Sequence, residues 1–284
     1  MQHMHLYSQI KRLFDYAESG VTRIKTGISP IDEKIRGVAP GEVCMILGRS
    51  YSGKSMVAQN IVAHNKDIPS IFFSMEMPYV QALVRMHAMH YNENATQLMD
   101  SLELGSPPES MWELINEFPY HAVVDEPNLG FDELSRSLEV HEDTYGQRAE
   151  FVVVDYLELL AGAKRSGEGF VAVDKVATTL KDWAKAEEMR VFVLHQCNRN
   201  EPRWEPPTES SPRFGGYTES DFVIGLWRPS FDPNLQYAQR LALKDTVRFN
   251  IIKNRPFGLE AECIECVQTD SLRLLPQQEE LVYD

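Results

Sequence analysis

Cysteine is scarce in this chain, long apolar runs are missing and basic residues are outnumbered, and each shortage closes off a class of protein. Four cysteines (Cys44, Cys197, Cys263, Cys266) among 284 residues are too few for a disulfide framework and read as reduced thiols. Cys263 and Cys266 form a lone C-x-x-C in a strand-like stretch without a second ligand pair, so they read as ordinary strand thiols rather than a metal or redox site. No stretch approaches the roughly 20 apolar residues that span a bilayer, and the opening MQHMHLYSQIKR lacks the apolar core of a signal peptide. The expectation is a cytoplasmic protein with no membrane partner. Lys and Arg total 28 against 42 Asp and Glu, a formal net charge of −14, which argues against a generally basic, nucleic-acid-coating protein but leaves room for a local basic channel. Some of the acid load (Glu279, Glu280, Asp284) sits in residues 277–284, which read as a solvated tail. The eight histidines show no ligand spacing, and no internal repeat is apparent.

What is present is an alternation. Short β-rich runs at 43–47, 70–74, 120–124, 151–155, 191–195 and 222–227 are interleaved with helical patterns at 54–65, 80–91, 131–145 and 171–188. Near-continuous apolar strands alternating with helices predict an α/β fold: a mostly parallel twisted sheet with helices on both faces. After Asp245 the pattern becomes strand-like segments joined by turn residues at 256–258, which predicts an antiparallel C-terminal extension. A short apolar stripe of Leu6, Ile10, Leu13, Phe14 and Ala17 predicts an amphipathic helix that ends at Gly20 and buries its stripe elsewhere.

Residues 48–55 read GRSYSGKS, the G-x-x-x-x-G-K-[ST] pattern, between an apolar run and a helical stretch, which is the context a phosphate-binding loop requires. Gly48 and Gly53 let the backbone curl so that successive N–H groups face phosphate oxygens, and the helix N-terminus adds partial positive charge. Lys54 is placed to reach the β- and γ-phosphates, and Ser55 to offer its hydroxyl to Mg²⁺. The candidate nucleotide contacts are Gly48, Arg49, Ser50, Ser52, Gly53, Lys54, Ser55 and Met56. In FVVVDYLELL a buried-type strand ends in Asp155, a carboxylate suited to the Mg²⁺ shell. In IFFSMEMP, Glu76 follows the next strand; it reads either as a surface Glu opening a helix or as a carboxylate that orients an attacking water.

These motifs, with VLHQCNRN, YTESDFVIGLWR and IIKNRPFG in that order, resemble the RecA-like ATPase domain of DnaB-type replicative helicases over residues 22–275. The resemblance implies a P-loop NTPase core at 21–276 using ATP and Mg²⁺, with Lys54, Ser55 and Asp155 on phosphate and metal. It makes Glu76 the catalytic carboxylate and Gln196 the γ-phosphate-sensing amide. Lys253 and Arg255 match the basic pair that reaches the nucleotide of a neighbouring subunit. It further implies a homo-oligomeric ring, most often a hexamer, with the helix over 1–20 as a linker packing on the next subunit. Single-stranded DNA would thread the ring and meet Lys164 and Arg165 in one loop. In a second loop, 198–216, it would meet Arg203, Arg213 and Gly216, although Glu201, Glu205 and Glu209 leave that loop about neutral. Arg85 matches a family arginine without an assigned role. Phe214 stands where the family usually has an acidic residue, and His195 where it commonly has Ser. The chain carries no separate N-terminal helical domain, so a loader or primase would be met in trans. The expectation is an ATP-driven DNA helicase acting in replication. The alternative is a DnaB-like ATPase kept as a nucleotide-dependent regulatory or scaffolding protein, which the acidic balance favours.

Overall fold

Runs such as Val-Cys-Met-Ile-Leu and Phe-Val-Val-Val offer no polar face, and a strand made of them is stable only when covered on both sides. The computed structural model, which describes residues 10, 11, 14, 18, 22–160 and 169–277, covers them in that way. In chain order the elements are α1 (Ser29–Ile35), β1 (Val43–Gly48), α2 (Lys54–His64), β2 (Ser70–Ser74) and α3 (Tyr79–Tyr91). They continue with α4 (Ala95–Glu103), α5 (Ser110–Glu117), β3 (His121–Val124), α6 (Phe131–Tyr145), β4 (Phe151–Asp155) and α7 (Gly169–Ala186). The last are β5 (Arg190–Gln196), β6 (Phe222–Trp227), α8 (Tyr237–Ala242), β7 (Thr246–Asn254), β8 (Ala261–Gln268) and β9 (Leu274–Pro276).

The strands form one sheet in the order β3-β2-β4-β5-β1-β6-β7-β8-β9. Every pairing from β3 to β6 is parallel and every pairing from β6 to β9 antiparallel, as the sequence pattern predicts. Alternate side chains of each strand feed two cores. Cys44, Ile46, Phe72, Val153 and Phe192 pack with α2 and α3 on one face; Met45, Leu47, Phe73, Val154 and Val193 pack with α6 and α7 on the other. At roughly 1.5–3 kcal/mol for each large apolar side chain buried, these two layers hold the strand ends in fixed register, and the strand ends carry the polar residues.

Helices α4 and α5 were not expected from sequence, and neither was α8, which lies in the β6–β7 connection. Among the residues of the expected N-terminal helix, Ile10, Lys11, Phe14 and Glu18 are described, each helical and exposed. The rest of that helix, Lys164, Arg165 and the acidic tail lie outside the described residues.

Candidate active site

The carboxyl ends of β1, β2, β4 and β5 open on one polar cavity of about 540 Å³, lined by Ser50, Tyr51, Gly53–Met56, Glu76, Arg85, Asp155 and Gln196, with Arg228, Gln268 and Leu272 along one side. Strand β1 ends at Gly48, where the chain turns beneath Ser52 and Leu226; a Cβ there would sit 2.5 Å from Ser52 Oγ and 3.0 Å from the Leu226 carbonyl oxygen. Only glycine permits that approach. Lys54 opens α2, and its Nζ donates to the carbonyl oxygens of Gly48 at 2.9 Å and Arg49 at 3.2 Å. Burial pulls the Lys54 ammonium below its ordinary range, while Cys197, Asp155, Glu158 and Glu76 oppose that shift.

Two of the expected loop contacts, Arg49 and Ser52, are not among the residues lining this cavity. The Arg49 guanidinium donates to Asn198 O and lines a separate cleft with Cys197, Glu201 and Glu205. Ser52 is buried, and its Oγ has no partner among the described residues. Tyr51, in contrast, is 81% exposed at the tip of the loop.

Burial raises the Asp155 carboxyl to about 6; Ser55 hydrogen bonding lowers it, Glu76 raises it, and Lys54 and Arg85 lower it. Its Oδ2 is buried with no hydrogen-bond partner among the described residues, a costly state for a carboxylate oxygen unless a cation or water shell meets it. No cluster of three or more His, Cys, Asp or Glu among the described residues could hold a metal alone. One carboxylate and the Ser55 hydroxyl, completed by phosphate oxygens and water, are the ligand set Mg²⁺ takes in nucleotide sites.

Glu76 is turned outward by a local device. The Ser74 hydroxyl donates to Met77 O at 2.6 Å, closing a bend in which Met75 and Met77 are buried and only Glu76 between them is exposed. Gln196 closes β5 level with Gly48. Its carbonyl accepts from Arg213 N at 2.9 Å, so the backbone at Gln196 is bonded to the second loop. That loop is closed at its base by a bridge between Cys197 and Pro212.

Lys253 and Arg255 lie away from this cavity. Arg255 N donates to Asp221 O, and Asp221 N donates to Val43 O, which sets Arg255 level with the first residue of β1. That six-residue strand, at about 3.3 Å per residue, puts roughly 16 Å between this level and the loop at Gly48. Lys253 Nζ donates to the carbonyls of Tyr217 at 2.8 Å and Thr218 at 2.9 Å. The Arg255 guanidinium donates to Thr218 O at 2.7 Å and Asp221 Oδ1 at 3.3 Å. Asp221 is buried, and its Oδ2 also accepts from Lys181 and from Val43 N.

The candidate strand contacts divide. Gly216 turns at φ +88 against Met45 and Ala177, and Gly216 N donates to Asp174 Oδ1 at 3.2 Å, which fixes the end of the second loop on α7. The Arg213 guanidinium lies over the Phe214 ring at 4.5 Å. That of Arg203 lies 5.8 Å over the ring of Tyr51, beside the phosphate loop. Arg228, which sequence reasoning passed over, donates to Ser52 O at 3.2 Å and to Gln268 Oε1. Its only signal is its place at the end of β6, whose Leu226 pairs with Gly48.

A family model described as the DnaB-like helicase C terminal domain matches residues 23–259. The replicative DNA helicase DnaB of Buchnera aphidicola subsp. Baizongia pistaciae is 26% identical over 269 residues, covering 88% of this chain and 56% of that protein. The chain spans about half the length of the curated relatives it matches. Among solved structures, the ATPase domain of G40P superposes with a TM-score of 0.80 at 18% identity, over 98% of this chain and all of that one. A DnaB-like replicative helicase described with its interactions with primase superposes with a TM-score of 0.75 at 18% identity, over 98% of this chain and 68% of that one.

Proposed function

Because the chain belongs to the DnaB-like helicase C-terminal domain family, we propose that it is the motor of a ring-forming, ATP-driven DNA helicase that moves along single-stranded DNA in replication. The observation that carries this reading is the division of the machinery. Lys54, Ser55, Glu76, Asp155 and Gln196 converge on one cavity, whereas Lys253 and Arg255 lie a strand length away from it. The first group binds and aligns: loop amides and Lys54 hold phosphates, Asp155 and Ser55 hold Mg²⁺, Glu76 takes the proton of the attacking water, and Gln196 contacts the phosphoryl group that leaves. Bound Mg²⁺ neutralises charge on the phosphate oxygens. The second group serves the cavity of the next subunit, where a guanidinium and an ammonium offset charge on the transferring group.

Ring assembly has a further support. An apolar cavity of about 490 Å³ between α3 and α5 is lined by Leu83, Met86, Trp112, Ile115 and Phe118, with Trp112 77% and Ile115 64% exposed. It suits the stripe carried by Ile10 and Phe14 of another copy, and deletion of residues 1–20 is expected to lower the oligomer's mass while leaving the ATPase domain folded. We place the protein in the cytoplasm, with loader or primase contacts made in trans; among the described residues no helix is long and apolar enough to cross a membrane.

The test is steady-state ATP hydrolysis with and without single-stranded DNA, against Lys54→Ala as blank, with oligomer mass measured in the same buffers. Several-fold stimulation by DNA in a ring-sized species is the expected result. Hydrolysis indifferent to DNA and RNA would instead favour the nucleotide-dependent scaffold, to which the net charge of −14 is better suited.

A further inference from the structure

Next to Gln196 the fold sets a half-buried acid against a buried imidazole, and the mechanism above leaves both unused. His195 is fully buried, and its Nδ1 lies 3.2 Å from Glu158 Oε2. The contact is close but out of line: neither ring nitrogen, nor Glu158 Oε2, makes a well-aligned hydrogen bond among the described residues. Each is therefore the nearest charged or titratable counterpart of the other. Burying two such groups costs free energy that a pair of apolar residues would avoid, so their retention calls for a purpose beyond packing.

The other oxygen of the same carboxylate shows what that purpose is. Glu158 Oε1 accepts the backbone N–H of Gln196 at 3.2 Å. Glu158 sits in the 3₁₀ turn Leu157–Leu159, directly after Asp155, so one side chain ties the turn that follows the metal-shell carboxylate to the residue facing the phosphoryl group. Gln196 is thus gripped on both sides of its backbone, by Glu158 at its N–H and by Arg213 at its carbonyl. Glu158 also stands close enough to Lys54 to act on its charge.

We propose that Glu158 and His195 are paired positioning residues, which lock the end of β5 so that the Gln196 amide is aligned for the phosphoryl-transfer step. The inference rests on the ATPase reading above. It is tested on the full chain by kcat and KM for ATP, by affinity for a non-hydrolysable ATP analogue, and by thermal melting, with Lys54→Ala as blank. Glu158→Ala is expected to lower kcat about 10- to 100-fold, since displacing an aligned group by about 1 Å costs on that scale. Affinity for the analogue should stay within about two-fold, because the loss falls on the chemical step rather than on binding. Glu158→Gln keeps an oxygen for the Gln196 N–H and should recover most of the lost rate. His195→Ala should match Glu158→Ala, and the double variant should be no worse than either, as for two residues acting through one contact.

Wild-type kcat in Glu158→Ala, losses that multiply in the double variant, a loss confined to KM and analogue affinity, or a Glu158→Gln as slow as Glu158→Ala would each overturn the proposal. If Glu158→Ala does not fold, His195→Gln, which keeps much of the bulk of the ring, decides: an unchanged kcat overturns the proposal and a kcat-only loss supports it. Wild-type hydrolysis no faster than Lys54→Ala would overturn the ATPase reading and this inference with it. Brisk wild-type hydrolysis with unaffected Glu158 and His195 variants would overturn this inference alone.

Discussion

At the carboxyl ends of β1, β2, β4 and β5, charged side chains converge on one cavity and leave a carboxylate oxygen of Asp155 without a hydrogen-bond partner among the described residues. At the far end of β1, Lys253 and Arg255 are turned onto the carbonyls of Tyr217 and Thr218 in their own chain. The first arrangement suits a charged ligand: its groups are held by strand ends and bends, and a phosphate or cation bound there, as proposed, would relieve their desolvation. The second is a pair of cations already satisfied within the chain, each of which, if it serves a neighbour as proposed, would have to exchange backbone carbonyls for that neighbour's phosphate. The difference teaches that the two groups start from opposite states, one with polar groups still to be met and the other with its cations bonded to carbonyls.

Mutations sharpen that contrast, the largest effect being expected on the side of the bonded cations. Arg255→Ala should lower kcat about 10³-fold in the assembled protein, the scale of a lost arginine contact in phosphoryl transfer, with nucleotide affinity unchanged. An equimolar mixture of that variant with Lys54→Ala should regain roughly a quarter of wild-type turnover, because sites shared between copies can be rebuilt only where complementary copies meet. No recovery in re-annealed mixtures would assign both halves to a single chain. On the side of the cavity, Glu76→Gln should lower kcat about 10²-fold or more while binding fluorescent nucleotide normally; full turnover would remove Glu76 from the chemistry.

A smaller effect follows from Asp155, whose carboxyl is raised by burial to about 6. It must be ionised to serve a Mg²⁺ shell, so binding releases a proton below that pH. Mg²⁺-dependent nucleotide affinity should be level above pH 7 and fall toward about ten-fold per pH unit well below 6. Asp155→Asn should bind weakly with no such slope in titrations from pH 5 to 8. Without ligand the sign reverses: the folded state keeps the proton that an unfolded Asp releases near 3.8, so this group's contribution to stability declines as pH rises from about 4 to 6 and is constant above. The smallest effect is expected at Arg213, where Ala should weaken single-stranded DNA binding a few-fold and reduce the salt slope by about one. An unchanged slope would take Arg213 off the phosphate backbone.

Much of this was legible in the sequence because it resides in periodicity. The six parallel strands were marked by apolar runs, and Ser74, Asp155 and Gln196 stand where those runs give way to polar residues. Of the helices that escaped notice, α4 and α5 each bury one side chain, Leu98 and Leu114, α8 buries none, and α1 is only seven residues long, with Ile31 and Ile35 buried. Arg228 and Glu158 were invisible for another reason. Each reaches the site through pairing of distant segments, β6 on β1 for Arg228 and the β4 turn on β5 for Glu158, and a lone charged residue carries no trace of such a meeting. The same holds for the approach of the Arg203 guanidinium to Tyr51, which its place in the second loop did not announce.

The strand length separating Arg255 from Gly48 is also a statement about symmetry. A subunit whose phosphate loop and whose donor cations occupy opposite ends of one sheet has a front and a back. Two copies related by a two-fold axis could match both ends only by lying antiparallel, the loop end of each beside the cation end of the other. Copies joined head to tail complete one site per contact and always leave one loop and one cation pair unmatched, until the last copy meets the first. If the cations serve a neighbour as proposed, closure into a ring is the head-to-tail assembly in which every nucleotide cavity would be whole, whereas an open helical array would carry one idle cavity whatever its length.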